Sequence, residues 1–241
     1  TTTAIIEQHH DEIGGVIVEP FQRLLPPQPG FLEGLREITE HYQIPLIFDE
    51  VVTGFRFGYG GAQEFYGVTP DLCTLGKAIA GGFPLTAIAG RGDIMAHMDK
   101  GSVDDGEFMP QIGTLSGNPV AAVAGLKTLE ILRREGTYDR IFATGARIKN
   151  ALQKLLDEAE IPAKVIGEAS LFDVFFTESD VTDYRSTLKA DPVAMARFNS
   201  SLLEQGAFKG ASKFYISAAH SDQDVVETIA AFETAVEHLK G

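Results

Sequence analysis

The stretches GGVIVEP (residues 14–20) and FLEGLREITEHYQIPLIFDE (31–50) decide the fold. The first is a short run of β-branched residues closed by Pro20, the pattern of a buried strand. After the rigid connector LLPPQPG (24–30), Phe31, Leu35 and Ile38 recur at helical spacing. IPLIFDE (44–50) is a second buried apolar run. Strand, helix and strand in this order predict a right-handed parallel crossover.

Working outward, DLCTLG (71–76) and LTAIAG (85–90) read as further strands, and GGAQEFYG (60–67) as a short helix before them. The first half is therefore expected to be α/β with a mainly parallel sheet. The character changes at Asn118, an expected N-cap followed by Pro119 at the first helical position, with the helix ending at Gly136. Residues 138–160 and 221–240 read as helices, 170–177 and 213–219 as strands. The expected division is 1–130, a larger α/β part, and 131–241, a smaller α+β domain.

The chain has 241 residues, 44% hydrophobic and 22% charged, with a formal net charge of -14. Such acidity argues against nucleic acid or an anionic membrane face as partner, since both require a basic footprint. A single cysteine, Cys73, rules out an intrachain disulfide and a paired-cysteine redox or zinc site, and a reducing, cytoplasmic home fits best. No apolar run reaches the ~18 residues of a membrane span, and the first residues lack the layout of an export signal. His9, His10, His41, His97 and His220 show no metal-ligand spacing and read as surface or capping residues.

Within TLGKAIAGGFPL (74–85) the only charge is Lys77. A phosphate-binding P-loop would need glycine at 71 and serine or threonine at 78, where this chain has Asp71 and Ala78. Three readings remain for Lys77: a snorkelling surface lysine, a structural ion-pair partner, or an amine that reacts with a carbonyl. Asp49 closes the buried run LIFDE, at the strand end where open α/β sheets collect ligand-binding residues. It could cap the following turn, bind a metal with Glu50, or hold a protonated ring nitrogen. Adjacent strand residues point to opposite faces, which makes the metal the weakest of these.

Taken together, VIVEP (16–20), FDEVVTGFR (48–56), GVTPDLCTLGKAIAGGFPL (67–85) and GTLSGNPVA (113–121), with Lys77 28 residues after Asp49, resemble the class III aminotransferases of the fold type I pyridoxal-phosphate enzymes. The branch containing glutamate-1-semialdehyde aminomutase is the most similar. The resemblance implies the cofactor pyridoxal 5'-phosphate, a small-molecule amino donor and carbonyl acceptor, and a homodimer with a shared active site.

It also implies roles. Lys77 would form the internal aldimine and, once freed, move a proton between substrate and cofactor; its apolar surroundings would favour the neutral amine. Asp49 would pair with the pyridine nitrogen and keep it protonated. Val51, on the same strand face as Asp49, would pack against the ring, and Thr114 would reach the cofactor phosphate across the dimer interface. Arg56 and Glu19 are motif positions to which no catalytic role is given, although Arg56 has the chemistry to bind a carboxylate. FMPQIG (108–113) is expected in a mobile active-site loop.

Two departures stand out. Val52 replaces the glutamine that many members carry there, a trait of the aminomutase-like branch. The glycine/serine phosphate loop and the stacking aromatic of the family's N-terminal part have no counterpart, so a C-terminal portion is expected. The rival expectation is a non-catalytic fragment that needs its missing half or a partner chain to bind cofactor. A lysine-dependent lyase without the cofactor would leave the Asp49 motif without purpose.

Overall fold

The computed structural model describes residues 1–22 and 24–240, which form two compact units: Thr1–Phe21 with Pro27–Arg134, and Gln22–Pro26 with Glu135–Gly241. In the first unit, helix α1 (Thr2–His9) precedes strand β1 (Val16–Val18), helix α2 (Phe31–His41) and strand β2 (Leu46–Glu50). Helix α3 (Gly61–Tyr66), strand β3 (Leu72–Leu75), a 3₁₀ turn at Lys77–Ala80, strand β4 (Ala87–Gly90) and the short helix α4 (Gly92–Met95) follow, and helix α5 (Pro119–Leu132) closes the unit.

The sheet order is β1-β2-β3-β4, with β1, β2 and β3 parallel and β4 antiparallel to β3. The crossover β1–α2–β2 links neighbouring parallel strands, as the opening stretch predicts. α2 buries Leu32, Leu35 and Thr39 rather than Phe31, which is 41% exposed. Its inward stripe therefore starts one residue later than expected. In β2 the alternation is strict: Leu46, Phe48 and Glu50 are buried, whereas Ile47 and Asp49 are half-buried on the other face. Leu46 and Phe48 are fully enclosed and pack with Leu32, Leu35, Ile44, Val68 and Cys73. Each such side chain contributes about 1.5–3 kcal/mol through removal from water.

At the N-terminal end of the strands, Asp71 ties three elements together. Its Oδ2 accepts the Leu46 N–H at 2.8 Å and meets Arg36 at 2.9 Å, while Oδ1 meets Arg91 at 2.9 Å. Burial pushes this carboxyl up, but the Leu46 N–H and the guanidinium groups of Arg91 and Arg36 together hold it below its ordinary value.

In the second unit, helix α6 (Thr137–Glu158) leads to an antiparallel sheet of β5 (Lys164–Glu168), β6 (Leu171–Phe175) and β7 (Phe214–Tyr215), in the order β5-β6-β7. The helices α7 (Tyr184–Thr187), α8 (Pro192–Glu204) and α9 (Asp222–Lys240) complete it. Phe198 stacks on Phe232 and Phe172 on Phe214, and Leu152, Leu156, Leu171 and Leu202 are fully enclosed. Inside this unit Lys209 Nζ meets Asp173 Oδ1 at 3.1 Å, both side chains being nearly inaccessible. Among the described residues no helix is long and apolar enough to cross a membrane.

Candidate functional site

The carboxyl ends of β2 and β3 carry Asp49 and, just past Leu75, Lys77. The parallel register pairs Asp49 with Thr74, which puts both side chains on one face of the sheet. Asp49 Oδ1 accepts the Val51 N–H at 3.0 Å and the Thr74 hydroxyl at 3.3 Å. Its neighbour Glu50 points the opposite way into the interior, where it is fully buried. There Oε2 accepts from Thr53 Oγ1 at 3.0 Å and Ala62 N at 2.5 Å, and Oε1 accepts from Gln63 Nε2 at 3.0 Å. The strand thus sends one carboxylate to each face, and only Asp49 stands beside the cavity described next.

Lys77 opens the 3₁₀ turn with φ +47°, the left-handed region that costs a non-glycine residue about 1–2 kcal/mol and that collects at functional positions. Gly76 precedes it because a side chain there would press on Val51 Cγ1 at 3.3 Å. The turn is gripped from behind by α5. A Cβ on Gly81 would collide with Thr128 Oγ1, and one on Gly125 would sit 2.5 Å from Leu85 Cδ2 and 3.2 Å from the Ile79 carbonyl oxygen. Asn118 caps α5 as its sequence predicts, its Oδ1 accepting from Val120 N at 3.0 Å and Ala121 N at 3.3 Å.

These elements border a cavity of about 1000 Å³ whose lining includes Val51, Thr74, Lys77, Phe83, Leu85 and Thr114. Lys77, Val51 and Thr114 therefore share one space, and Asp49 joins it through Val51 and Thr74. Gln111 and Gly113, at the end of the 108–113 stretch, also border it. The expected apolar enclosure of Lys77 is not what the structure shows: Lys77 is exposed, while Ile79 and Ala80 in the same turn are buried. A 3₁₀ turn sends successive side chains outward at about 120° to one another, so its apolar members pack inward and the lysine faces the open cavity.

Arg56 is not among the cavity residues; its Nε donates to the Val52 carbonyl at 2.9 Å, inside its own loop. Glu19 is exposed past the end of β1 and does not border the cavity either. Burial pushes the Cys73 thiol up, the Gln63 side chain opposes this and the nearby Glu50 charge reinforces it, so the single cysteine is a poor nucleophile. Sequence reasoning missed two residues of this neighbourhood. Thr74 became visible only through the β2/β3 register. Glu50 was weighed only as a metal partner, whereas the glycine pair at 60 and 61, opening α3 a short loop away, signalled a close approach of backbone and side chain.

Comparison with known proteins bears on this arrangement. A profile of the family described as aminotransferase class III matches residues 1–206. Over 232 residues the chain is 40% identical to a glutamate-1-semialdehyde 2,1-aminomutase of Natranaerobius thermophilus, covering 93% of this chain and 53% of that protein. An omega-transaminase structure from Sphaerobacter thermophilus superposes with a TM-score of 0.92 at 35% identity, over 100% of this chain and 55% of the other. A transaminase structure with PLP bound gives 0.87 at 28% identity, over 98% and 55%. The chain spans about half the length of the relatives it matches. On these matches the chain belongs to the class III aminotransferases.

Proposed function

We propose that this chain carries the lysine-bearing part of a pyridoxal-phosphate-dependent aminotransferase or aminomutase, which moves an amino group from a small-molecule donor to a carbonyl acceptor. The observation that carries the reading is the meeting of Lys77, Val51 and Thr74 at one cavity, with Asp49 bonded to Thr74 behind it. The donor set fits the cofactor: an amine for its aldehyde, a carboxylate for its ring nitrogen, an apolar wall for its ring and a hydroxyl for its phosphate. When bound, the cofactor supplies an electron sink for the substrate's α-carbon.

The chain's own residues do the rest. Lys77 Nζ would hold the cofactor by its aldehyde and, as a free amine, would carry the proton from the substrate α-carbon to the cofactor. Asp49 would pair with the cofactor's ring nitrogen and favour its protonated form. Val51, backed by Gly76, fixes one face of the ring position. Thr114, exposed on the loop before α5, donates to the phosphate bound by a second copy of the chain, giving a homodimer with a shared site. In this reading the first compact unit belongs to the cofactor-binding large domain, the second is the small domain, and the enzyme works in the cytoplasm, where a buried free thiol persists.

The test is to add pyridoxal phosphate, reduce with borohydride and map the modified peptide. Modification at Lys77, lost in Lys77→Ala, is expected, with Asp49→Ala keeping weak attachment but losing turnover. Normal activity in Lys77→Ala overturns the reading. One observation favours the rival of a fragment that needs further polypeptide: relatives are nearly twice as long. An unmodified Lys77 in this chain, with modification in the presence of the remaining polypeptide, would establish that rival.

A further inference from the structure

Asp49 offers two carboxylate oxygens, and the structure treats them unequally. Oδ1 takes both available donors, the Val51 N–H at 3.0 Å and the Thr74 hydroxyl at 3.3 Å, while Oδ2 takes no hydrogen bond from any described residue. The two donors differ in kind. Val51 N–H is backbone and belongs to the strand end, so it holds the carboxylate by a tether two residues long. Thr74 stands on the neighbouring strand, in register with Asp49, and its β-branched side chain is stiff about χ1. Together they pin Oδ1 from two directions and stop the carboxylate from turning about its last bond. Thr74 also borders the cavity itself, unlike Asp49. A ring N–H entering from that cavity therefore finds Oδ2 as the oxygen with full accepting capacity.

We infer that Thr74 is a positioning residue, whose hydroxyl locks the Asp49 carboxylate so that Oδ2 faces the protonated ring nitrogen of the cofactor. The inference rests on the function proposed above. The role given to Thr74 acts through Asp49, to which its hydroxyl donates. Among the described residues its hydroxyl is the one side-chain donor to that carboxylate, and loss of one such hydrogen bond changes an equilibrium by up to roughly tenfold.

The discriminating pair is Thr74→Val, which keeps shape and removes the donor, and Thr74→Ser, which keeps the donor. In holoprotein prepared with ring-nitrogen-labelled pyridoxal phosphate, the nitrogen resonance of Thr74→Val is expected to move toward the unprotonated position at neutral pH. Its cofactor dissociation constant should rise roughly tenfold, and kcat should fall with KM for the amino donor unchanged. Thr74→Ser should restore all three, and the melting temperatures of the three proteins should agree. A purely structural threonine would move the melting temperature and leave the nitrogen resonance alone, which overturns the inference. So does a Thr74→Val protein indistinguishable from wild type, or a Thr74→Ser protein as impaired as Thr74→Val. If the wild type takes no cofactor at Lys77 even in the presence of the remaining polypeptide, the functional reading fails and this inference falls with it. Attachment at Lys77 with an unresponsive nitrogen resonance overturns the inference alone.

Discussion

Glu50 Oε2 and the backbone N–H of Ala62 lie 2.5 Å apart, across the turn that follows the Asp49 strand. With Thr53 and Gln63 as further donors, a fully buried carboxylate is met by N–H and O–H groups, and among the described residues it makes no ion pair. Glu50→Gln leaves one accepting oxygen where two are in use and turns an NH₂ group toward donors. It is expected to cost about 1–3 kcal/mol in urea unfolding while Lys77 still takes cofactor. An unchanged midpoint would mean that other contacts hold residues 51–61.

Gly61, the first residue of α3, and Gly67, just past its end, have nearly equal φ, +70° and +71°. Alanine at either position meets the left-handed penalty of about 1–2 kcal/mol. At Gly61 the new Cβ would also collide with Glu50 Oε2, whereas at Gly67 it finds nothing within 4 Å. Gly61→Ala should therefore destabilise by about 1–3 kcal/mol more than Gly67→Ala. Equal losses would show that the Glu50 carboxylate yields without cost.

Asp71 gives the fold a defined acid sensitivity. Its carboxyl is held below the ordinary 3.8, so the stability it contributes is present above that pH and drains away as the pH falls through the lowered folded-state value. Asp71→Asn is expected to lose about 2–3 kcal/mol at neutral pH, the scale for a broken, mostly buried pair. The gap between wild type and variant should narrow as the solution is acidified below that window. A gap independent of pH would place the effect in shape rather than charge.

In the second unit, Lys209→Met leaves the Asp173 carboxylate buried against two N–H groups, those of Lys213 and Val174. Burial already pushes that carboxyl up, with Lys209 opposing. Loss of the lysine is expected to cost about 3–5 kcal/mol at neutral pH, and less in acid, where Asp173 takes up a proton. Chemical denaturation at two pH values decides it; a loss below about 1 kcal/mol would mean the pair is worth no more than an exposed one.

The parts of this fold that could be read in the sequence are those with local signals. VIV and LIFDE are β-branched or alternating runs, α2 has its stripe, and α5 has Asn118 and Pro119 side by side. The same cap-and-proline signal at Asp191 and Pro192 marks α8, which went unread. β5, with Lys164, Gly167 and Glu168 among its five residues, carries little periodic pattern. The antiparallel direction of β4 could not be read, because alternation looks the same in either sense. At the site, Lys77, Asp49 and Thr114 stand out by residue type and motif. The exposure of Lys77 depends on what packs around its turn, and the Thr74–Asp49 pair depends on register between strands 25 residues apart in sequence. Both are non-local and leave no mark on either segment alone.

The contact of Gly81 with Thr128 constrains the order in which this protein can change over generations. Thr128 can shrink to alanine at the cost of one hydroxyl that now bonds only within its own helix, to the Ala124 carbonyl at 2.9 Å. Gly81 can gain a side chain only once the Thr128 hydroxyl has moved or gone, and even then the Ala124 carbonyl oxygen lies at 3.3 Å and the φ of +57° disfavours it. Mutational paths through this pair therefore run one way, with the helix giving ground first and the lysine turn last.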